Sequence, residues 1–402
     1  MPEETSQLID TTRSRHHPPR LLCVWQLLAA LVLFALLAKM GNEGKLESII
    51  PMEGVSHHSN EKRNKKETKQ HVKATKKSDK KIEPIHLACE KGTYSERTLQ
   101  LAYELPFIAL FADTLGQTKF EASSVVIHDD SAYAVCDSSW SLSKFRTDLQ
   151  PFSPDNVQIV STKVHKKHKD ESGYEALFYD AGFFYVVRES IRQRDKSFHA
   201  EIEQLLVQDQ QYSVVKKQMT EFEFEGDSKG FEGAIAIHDH SDNEALVILA
   251  LCEANHCSEE LKDDVGNGKL VAMKSNGTVW TTLRIIDVPP SAAFHDYSAI
   301  SILGDRVAIT SQEESQVWIG RLKGLVEGRL WDIDAIEFDV DEGTVYDFPK
   351  DHECQTIYCN IEGIHWMNEY TLLAVSDKMK GRGKQDFRCF DKDQTAHVFV
   401  LP

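Results

Sequence analysis

The sequence predicts an all-β domain, a five-bladed β-propeller, behind an N-terminal transmembrane helix and a basic linker. From residue 84 onward the apolar runs are short, rich in Val, Ile, Phe and Tyr, and separated by Asp, Asn, Gly and Ser turns, which is typical of many short strands. One pattern of an acid, a small residue and two β runs recurs five times at a spacing typical of propeller blades. An uncharged 18-residue run near the N-terminus predicts the helix.

The composition is that of a folded globular protein, since 41% of the 402 residues are hydrophobic and 27% are charged. There are 46 Lys and Arg against 63 Asp and Glu, a formal net charge of -17. This balance argues against nucleic acid as a partner, because binding a phosphate backbone needs clustered basic side chains. Residues 1–81 hold 15 basic and 9 acidic residues, which leaves 31 and 54 for residues 82–402. The tail therefore carries +6 and the remainder -23.

The uncharged run is residues 21–38, in which Gln26 is the one strongly polar side chain. Three arginines precede it and two lysines follow closely, so the positive-inside rule places residues 1–20 in the cytoplasm. We interpret the run as a signal anchor; a cleaved signal peptide is the alternative. Both send residues 84–402 across a membrane. The prediction is a single-pass type II membrane protein of the secretory pathway (endoplasmic reticulum, Golgi or cell surface), with a luminal or extracellular propeller.

Residues 39–83 predict a disordered stalk. Within it, residues 62–81 carry ten Lys and Arg and two acids without apolar periodicity, which favours a solvated, extended linker. The alternative is that this basic stretch grips anionic lipid head groups or the acidic domain.

The five copies of the repeat begin at acids that stand 54, 57, 64 and 66 residues apart. Each copy ends on a second polar residue; the copies are Glu121 to Asp137, Glu175 to Glu189, Glu232 to Glu253, Asp296 to Gln312 and Glu362 to Asp377. Chance matching of short β runs is the alternative to a true repeat. Residues 197–209 are the exception to the strand pattern, since they predict a helix.

The ring has to close, because an open ring leaves strand edges unpaired. About forty residues follow Glu362, enough for three strands, and residues 105–115 predict the missing fourth. This arithmetic predicts five blades, closed by pairing of the two chain ends. Six blades are the alternative if residues 82–120 form more than one set of strands.

The repeated acids predict a cation site. Antiparallel pairing puts the leading and trailing residue of each copy at one end of its blade, and the first strand of a blade lines the channel. Like charges this close are costly unless their pKa values rise or a cation binds, and calcium suits an irregular ring of oxygen ligands. The predicted ligands are Glu121, Glu175, Glu232, Asp296 and Glu362, with Asp137, Glu189, Glu253, Gln312 and Asp377 behind them.

The alternative is that the leading acids accept backbone N–H groups at blade junctions and hold no ion. Small residues follow four of the acids, which fits a crowded axis, whereas Tyr297 and the uncharged Gln312 make the fourth copy the weakest contributor. Three histidines recur near the motif, in strand interiors where they are more often packed than metal-bound; they are His128, His238 and His365.

Cysteine usage predicts disulfides. Cys252 and Cys257 have the same spacing as Cys354 and Cys359, and each pair would close a small loop in an oxidising compartment. A zinc site from Cys252, His256 and Cys257 is the alternative for the first pair. Two further predictions concern single cysteines: Cys89 and Cys389 could join the ends of the domain, and Cys136 is a buried free thiol.

The segment Asn276-Gly277-Thr278 is an N-glycosylation sequon in a turn-like stretch, which could be used if the domain is luminal.

Three segments resemble the repeats of the SdiA-regulated and phytase-like (esterase-like) β-propeller proteins. They are FEGAIAIHD, DYSAISILGDRVAITSQEESQVWIGRL and NIEGIHWMNEYTLLAVSDK, and the resemblance extends over residues 105–402. It implies five or six blades, an acidic central site that often holds calcium and, in some members, phosphoester hydrolysis. The order of tail, anchor and luminal propeller is also similar to that of the calcium-activated nucleotidases (apyrases).

Two functions follow as hypotheses. The first is a membrane-anchored binding module for a small phosphorylated molecule, a glycan or a protein. The second is a calcium-dependent phosphohydrolase, phytase-like or nucleotidase-like, in which the ion polarises a phosphoryl oxygen and activates a water. Basic side chains converging on the acids would favour the second, and the nearest candidates are Arg188, Arg306 and Lys378.

Overall fold

The structure is a computed structural model that describes residues 96–163, 171–226, 229–253, 257, 265–381 and 385–402. The predictions for the cytoplasmic tail, the anchor at residues 21–38, the stalk and Cys89 lie outside these residues. In the described part of the chain, no helix combines the length and apolarity needed to cross a membrane.

The described chain is almost entirely β-structure, arranged as five antiparallel β-meanders. Strand β1 (Gln100–Pro106) and the short helix α1 (Phe107–Leu110) come first. Meander 1 is β2 (Ala122–His128), β3 (Ser131–Cys136), β4 (Ser141–Arg146) and β5 (Val157–Ser161). Meander 2 is β6 (Tyr174–Asp180), β7 (Phe183–Arg192), β8 (Phe198–Gln208) and β9 (Gln211–Phe224).

Meander 3 is β10 (Phe231–Asp239), β11 (Ala245–Cys252), β12 (Lys269–Ser275) and β13 (Trp280–Asp287). Meander 4 begins with β14 (Ala299–Leu303), β15 (Arg306–Ser311) and β16 (Gln316–Lys323). The chain then forms the short hairpin β17 (Leu325–Glu327) and β18 (Leu330–Trp331), which pairs with β10 of meander 3. It returns to meander 4 with β19 (Glu337–Phe338) and the outer strand β20 (Thr344–Asp347). Meander 5 contains β21 (Ile361–Asn368), β22 (Thr371–Ser376) and β23 (Thr395–Val400). Short 3-10 helices lie at Pro290–Ala292, Ile333–Ala335 and Phe387–Lys392.

The first strands of the five meanders surround one axis. Strand β2 contacts β6, β6 contacts β10, β10 contacts β14, β14 contacts β21, and β21 returns to β2. Apolar side chains fill the spaces between neighbouring meanders, with Trp318 and Phe231 among the largest that are fully buried. This cyclic packing of antiparallel sheets confirms the predicted all-β fold of the propeller type.

The N-terminal strand completes meander 5, where the strand order is β1-β23-β22-β21. Closure by the two chain ends therefore occurs, but the prediction that residues 105–115 form the strand was wrong. The strand ends at Pro106, and residues 107–110 turn into α1, whose Phe107 and Leu110 are completely buried. Phe107 stacks on Phe120 with ring centroids 5.6 Å apart. Burial of these apolar side chains across one helical turn determines the conformation here.

The helix predicted at residues 197–209 was also wrong, because this segment is strand β8. It pairs with β7 on one side and β9 on the other, and Ala200, Ile202 and Leu205 are buried between meanders. Asp209 takes a positive φ of 56° in the two-residue turn to β9. Pairing on both edges and this tight turn outweigh the segment's helix propensity.

The disulfide predictions have mixed outcomes. Cys252 and Cys257 are bonded as predicted, which removes the zinc alternative, because neither sulfur remains a thiolate. The predicted Cys354–Cys359 pair was wrong, and so was the use of Cys389 with Cys89, because Cys359 is bonded to Cys389. Cys354 is disulfide-bonded too. Cys136 is a buried free thiol, as predicted, and burial raises its pKa.

A buried polar cluster joins the closing strand to the C-terminal strands. Glu104 of β1 accepts hydrogen bonds from His397 Nδ1 at 3.0 Å and from Tyr358 Oη at 3.1 Å, and it pairs with the Lys392 ammonium. On the other side of the imidazole, His397 Nε2 lies 3.1 Å from Ser376 Oγ. Burial raises the pKa of Glu104, but bonding to His397 and Lys392 outweighs burial and holds the pKa at about 2. His397 is 0% exposed and Ser376 is 2% exposed, so this serine–histidine–glutamate chain is structural.

We expect Glu104→Gln to lower the free energy of unfolding at pH 7 by about 1–3 kcal/mol, because charge-assisted hydrogen bonds of β1 are lost. The folded-state pKa lies below the ordinary value of 4.5, so the wild-type advantage is present above pH 4.5 and disappears as the pH falls through about 2. Urea unfolding at several pH values measures both effects. The exposed Glu337→Gln is the control, and equal stabilities of the two variants would contradict the assignment.

Candidate functional site

Three of the repeated acids occupy one structural position, the extra residue of a β-bulge at the start of the first strand. In β6 the register moves from Tyr174 opposite Arg188 to Ala176 opposite Val187, which leaves Glu175 unpaired. The same shift isolates Glu232 in β10 and Glu362 in β21. A bulge turns its extra side chain out of the regular alternation, and bulges are frequent next to functional sites.

The glycines after two of these acids, Gly233 and Gly363, lie where neighbouring first strands approach closely. A Cβ atom on Gly233 would stand 2.8 Å from the backbone nitrogen of Ile300, and one on Gly363 would stand 2.9 Å from Cα of Ser124. The small residues therefore do mark a crowded axis, as the sequence indicates.

We expect Gly233→Ala to lower the free energy of unfolding by about 1–3 kcal/mol, because the added methyl must displace the β14 backbone. Gly226→Ala is the matched control, since a Cβ there would meet nothing within 4 Å. Thermal or urea unfolding of the two variants provides the comparison. Equal effects would mean that contact between the first strands does not limit the size of this residue.

The trailing acids lie at the same end of their meanders as the leading ones. The backbone N–H of each trailing acid donates a hydrogen bond to the carbonyl of a residue just before the first strand. Asp137 donates to Glu121 at 3.1 Å, and Glu189 donates to Gly173 at 2.8 Å. Glu253 donates in the same way to Gly230 at 3.0 Å, and Asp377 to Asn360 at 2.9 Å. This geometry gathers the acids of meanders 1, 2, 3 and 5 at one mouth of the channel.

The gathered carboxylates repel one another. Burial raises the pKa of Glu175 well above its ordinary value, and the nearby Glu189 and Asp137 raise it further. Burial likewise raises the pKa of Glu232, reinforced by Glu175 and Glu253. For Glu362, burial and then the charge of Asp377 raise the pKa, while Lys380 opposes the shift. The three bulge positions therefore favour protonated carboxyls as long as no cation is present.

Two of the trailing acids have buried oxygens without a partner. Burial and the neighbouring carboxylates raise the pKa of Asp377 to about 7, although a hydrogen bond from the Lys378 N–H lowers it. Burial, together with the charges of Glu121 and Glu171, raises the pKa of Asp137 to about 6. Oδ1 of each is buried and accepts no hydrogen bond from any described residue. A buried acceptor in this state costs free energy, which a cation or a proton at the mouth would recover.

The acids of the first and fourth copies do not share the bulge position. In meander 1 the register shift isolates Ser123, two residues after Glu121. In meander 4, Ser298 lies directly before Ala299, which pairs with Thr310. Glu232 has the equivalent position in meander 3, directly before Gly233, which pairs with Leu251. Glu121 and Asp296 therefore stand two residues outside the ring. The repeated pattern does not point to Ser123 and Ser298, which are 2% and 1% exposed, because the acids two residues earlier imitate the motif.

The hydrogen bonds of Asp296 fit the alternative in which a leading acid accepts backbone N–H groups instead of binding an ion. Its carboxylate accepts from the Ser311 hydroxyl and from the backbone N–H of Glu313 at 3.2 Å. Burial raises the pKa of Asp296 to about 6 against these bonds. The trailing Gln312 accepts from Lys380 Nζ at 3.2 Å, so this corner of the mouth is held by local hydrogen bonds.

Lysine side chains surround the acids at this mouth. Glu121 Oε1 lies 3.4 Å from Lys119 Nζ and 3.9 Å from Lys378 Nζ, and Glu253 Oε1 lies 3.6 Å from Lys229 Nζ. Together with Lys380 there are four lysines at this mouth, and the sequence pointed only to Lys378. The missed three follow no repeat and are brought together by the fold alone.

The two arginines named with Lys378 lie elsewhere. Arg188 pairs with Glu201 at 2.9 Å, and its guanidinium lies 5.0 Å from the centre of the Trp140 ring. Arg306 covers the Trp366 ring at 4.8 Å. The recurring histidines also lie away from the acids: His238 Nε2 bonds Asp180 at 3.0 Å, and His365 lies further along the channel.

A cavity of about 600 Å³ opens between meanders 4 and 5 beside the carboxylates, and Glu253, Asp296, Gln312 and Lys380 contribute to its lining. Within the described ranges, no three His, Cys, Asp or Glu side chains are already arranged around a metal-sized point. The donors nevertheless suit a hard cation, because they are carboxylates and two of their buried oxygens lack partners. The ligand roles predicted for the acids remain predictions.

The predicted sequon is exposed in the turn between β12 and β13. Asn276 Oδ1 accepts from the Thr278 N–H at 3.0 Å, which gives the turn its shape. Glycosylation there stays a prediction.

No protein-family model and no curated protein sequence matches the chain. Among solved structures, the PQQ-bound form of an aldose sugar dehydrogenase from Streptomyces coelicolor matches with a TM-score of 0.38 and 8% identity, over 75% of this chain and 98% of that chain. A streptogramin B lyase matches with a TM-score of 0.31 and 8% identity, over 74% and 97%. The protein YjhT matches with a TM-score of 0.36 and 9% identity, over 66% and 74%. These values are too low to identify a family, an activity or a cofactor, and the resemblance to phytase-like propellers stays a prediction.

Without a divalent cation, we expect Asp377→Asn to stabilise the protein increasingly as the pH rises. The folded-state pKa of Asp377 is about 7, above the ordinary 3.8. The stability that the protonated Asp377 contributes to the wild type is therefore complete below pH 3.8 and is lost as the pH rises through 7. The difference should reach on the order of 4 kcal/mol at pH 8, since the shift is about three pKa units. Urea unfolding in a chelator measures it, with the exposed Glu327→Gln as control. A difference that does not depend on pH would contradict the raised pKa.

Proposed function

We propose that residues 84–402 form a five-bladed propeller, one blade per meander, whose carboxylate-lined channel mouth binds Ca²⁺, and that the protein is a cation-dependent binding module. The observation that carries the proposal is the shared bulge position of Glu175, Glu232 and Glu362 around one axis. Three independent stretches of sequence direct a carboxylate to the same place, where burial makes its charge costly without a cation.

The ligands in this proposal are the three bulge glutamates, completed by Asp137 and Asp377. The unpartnered Oδ1 atoms of the two aspartates support their inclusion. Calcium accepts six to eight oxygens in flexible arrangements, so modest side-chain rotations would suffice to gather these donors. Glu189 and Glu253 would stand behind them, whereas Glu121, Asp296 and Gln312 belong to the rim.

The rim lysines favour an anionic ligand. An anion at this mouth would meet a cation at the centre and the ammonium groups of Lys378 and Lys380 at the edge, and Lys380 also lines the neighbouring cavity of about 600 Å³. This favours a small phosphorylated molecule over a glycan or a protein.

The same lysines make a calcium-dependent phosphohydrolase the second candidate. When bound, calcium would polarise a phosphoryl oxygen and lower the pKa of a water. Lys378 and Lys380 would hold the remaining phosphoryl oxygens, and the Asp377 carboxylate would be one of the calcium ligands.

A luminal or extracellular location, reached through an anchor at residues 21–38, completes the proposal. The disulfides Cys252–Cys257 and Cys359–Cys389 support it, because such bonds persist in oxidising compartments.

Calcium titration of the full-length protein, followed by thermal unfolding, tests the proposal. The free energy of unfolding should rise by about 2.7 kcal/mol when calcium reaches one hundred times its dissociation constant. Glu232→Gln and Glu362→Gln should remove this response while raising the stability of the calcium-free protein, because each removes a repelling carboxyl. Glu327→Gln is the control.

The absence of any calcium response in the wild type would sink the cation site. A response without hydrolysis of nucleotides or phytate would favour the binding module, and hydrolysis lost in Asp377→Asn would favour the enzyme.

A further inference from the structure

The channel has a second cavity, of about 340 Å³, beyond the carboxylates. It is lined by residues that lie two to five positions after the bulges, such as Leu177, Ile235 and Ile364. At about 3.3 Å per residue, this places it roughly 7–17 Å along the strands from the acids. Most of its described lining is aliphatic or aromatic, so it differs in character from the mouth.

A hairpin from meander 4 covers this end. Strand β18 leaves meander 4 and pairs in parallel with β10, where Leu330 lies opposite His238 and Trp331 opposite Asp239. The pairing brings Arg329 and Trp331 into the cavity lining. Because this hairpin crosses from meander 4 to meander 3, the cavity has a polar edge, formed by Arg329, on one side only.

Arg329 is the one cationic side chain among the described residues that line the cavity, apart from the imidazole of His365. One nitrogen, Nη2, lies 3.2 Å from Asp180 Oδ1, and Asp180 also bonds His238. The side chain is 61% exposed, and a guanidinium has five N–H donors, so most of its donors remain available.

His365 contributes no charge to the cavity. Its Nδ1 is bonded to the Trp366 carbonyl at 2.9 Å, and burial lowers the pKa of its imidazole to about 4. At neutral pH the imidazole is therefore neutral, and its Nε2 has no hydrogen-bond partner within the described part of the chain. Nε2 can accept one hydrogen bond from a ligand, and the neutral ring does not attract an anion deeper into the channel.

We propose that this cavity is a second ligand site, for a small apolar molecule that carries an anionic group such as a carboxylate. The apolar part would lie against the aliphatic residues of the first strands, and the anion would bind Arg329 at the edge. The orientation follows from the position of Arg329, since the rest of the described lining offers an anion no positive charge. An apolar pocket of this size with a few polar groups is typical of small-molecule sites.

Isothermal titration calorimetry of the full-length protein with naphthoate tests the site. Naphthoate should bind, and its neutral analogue naphthylmethanol should bind about tenfold more weakly, because it cannot form the charge-assisted hydrogen bond to Arg329. Arg329→Gln should weaken naphthoate by about the same factor and leave naphthylmethanol unchanged. Arg321→Gln, an exposed guanidinium of the same meander outside the cavity, should change neither.

His365→Trp should weaken both probes, since the larger ring occupies the cavity, and circular dichroism reports whether the variant is folded. No binding of naphthoate, equal binding of the two probes, or equal effects of the two arginine variants would overturn the proposal. The site does not depend on the calcium proposal, and naphthoate binding should persist in a chelator.

Discussion

The structure depends on the crowding of carboxyl groups at one end of a narrow axis. Five first strands approach so closely that Gly233 and Gly363 have no space for a side chain, and bulges direct Glu175, Glu232 and Glu362 into the same confined region. In water such groups would ionise separately. Here each shifts the pKa of its neighbours upward, so the folded state is stabilised at this mouth by protons or by a cation.

Ring closure is what makes this crowding possible. If β1 did not pair with β23, meander 5 would lack its outer strand. The polar cluster around Glu104 stabilises that pairing from within the sheet, and its pKa of about 2 is opposite in direction to the shifts at the channel mouth. The difference comes from partners: Glu104 faces a histidine and a lysine, whereas the bulge glutamates face other acids. A single fold thus contains one set of satisfied carboxylates and one set that is not.

The sequence predicted the features that repeat and missed those that depend on packing. The five strand pairs and their acids were visible because a meander imposes the same alternation each time. The register of Glu121 and Asp296 was not visible, since a two-residue offset leaves the local pattern unchanged and only cross-strand pairing reveals Ser123 and Ser298. Residues 197–209 were misread because pairing on both edges determines their conformation. The lysines at the mouth come from unrelated loops, and no spacing in the chain connects Lys119 with Lys378 and Lys380.

We propose that protons and a cation compete for the same carboxyls at this mouth. Calorimetric titration of calcium near pH 7, repeated in buffers of different ionisation enthalpy, counts the protons released as the cation binds. We expect a release of about one proton or more per calcium, reduced in Asp377→Asn, because raised pKa values keep part of the ring protonated until the cation binds. Calcium binding without proton release would contradict it, since the carboxyls would then already be ionised.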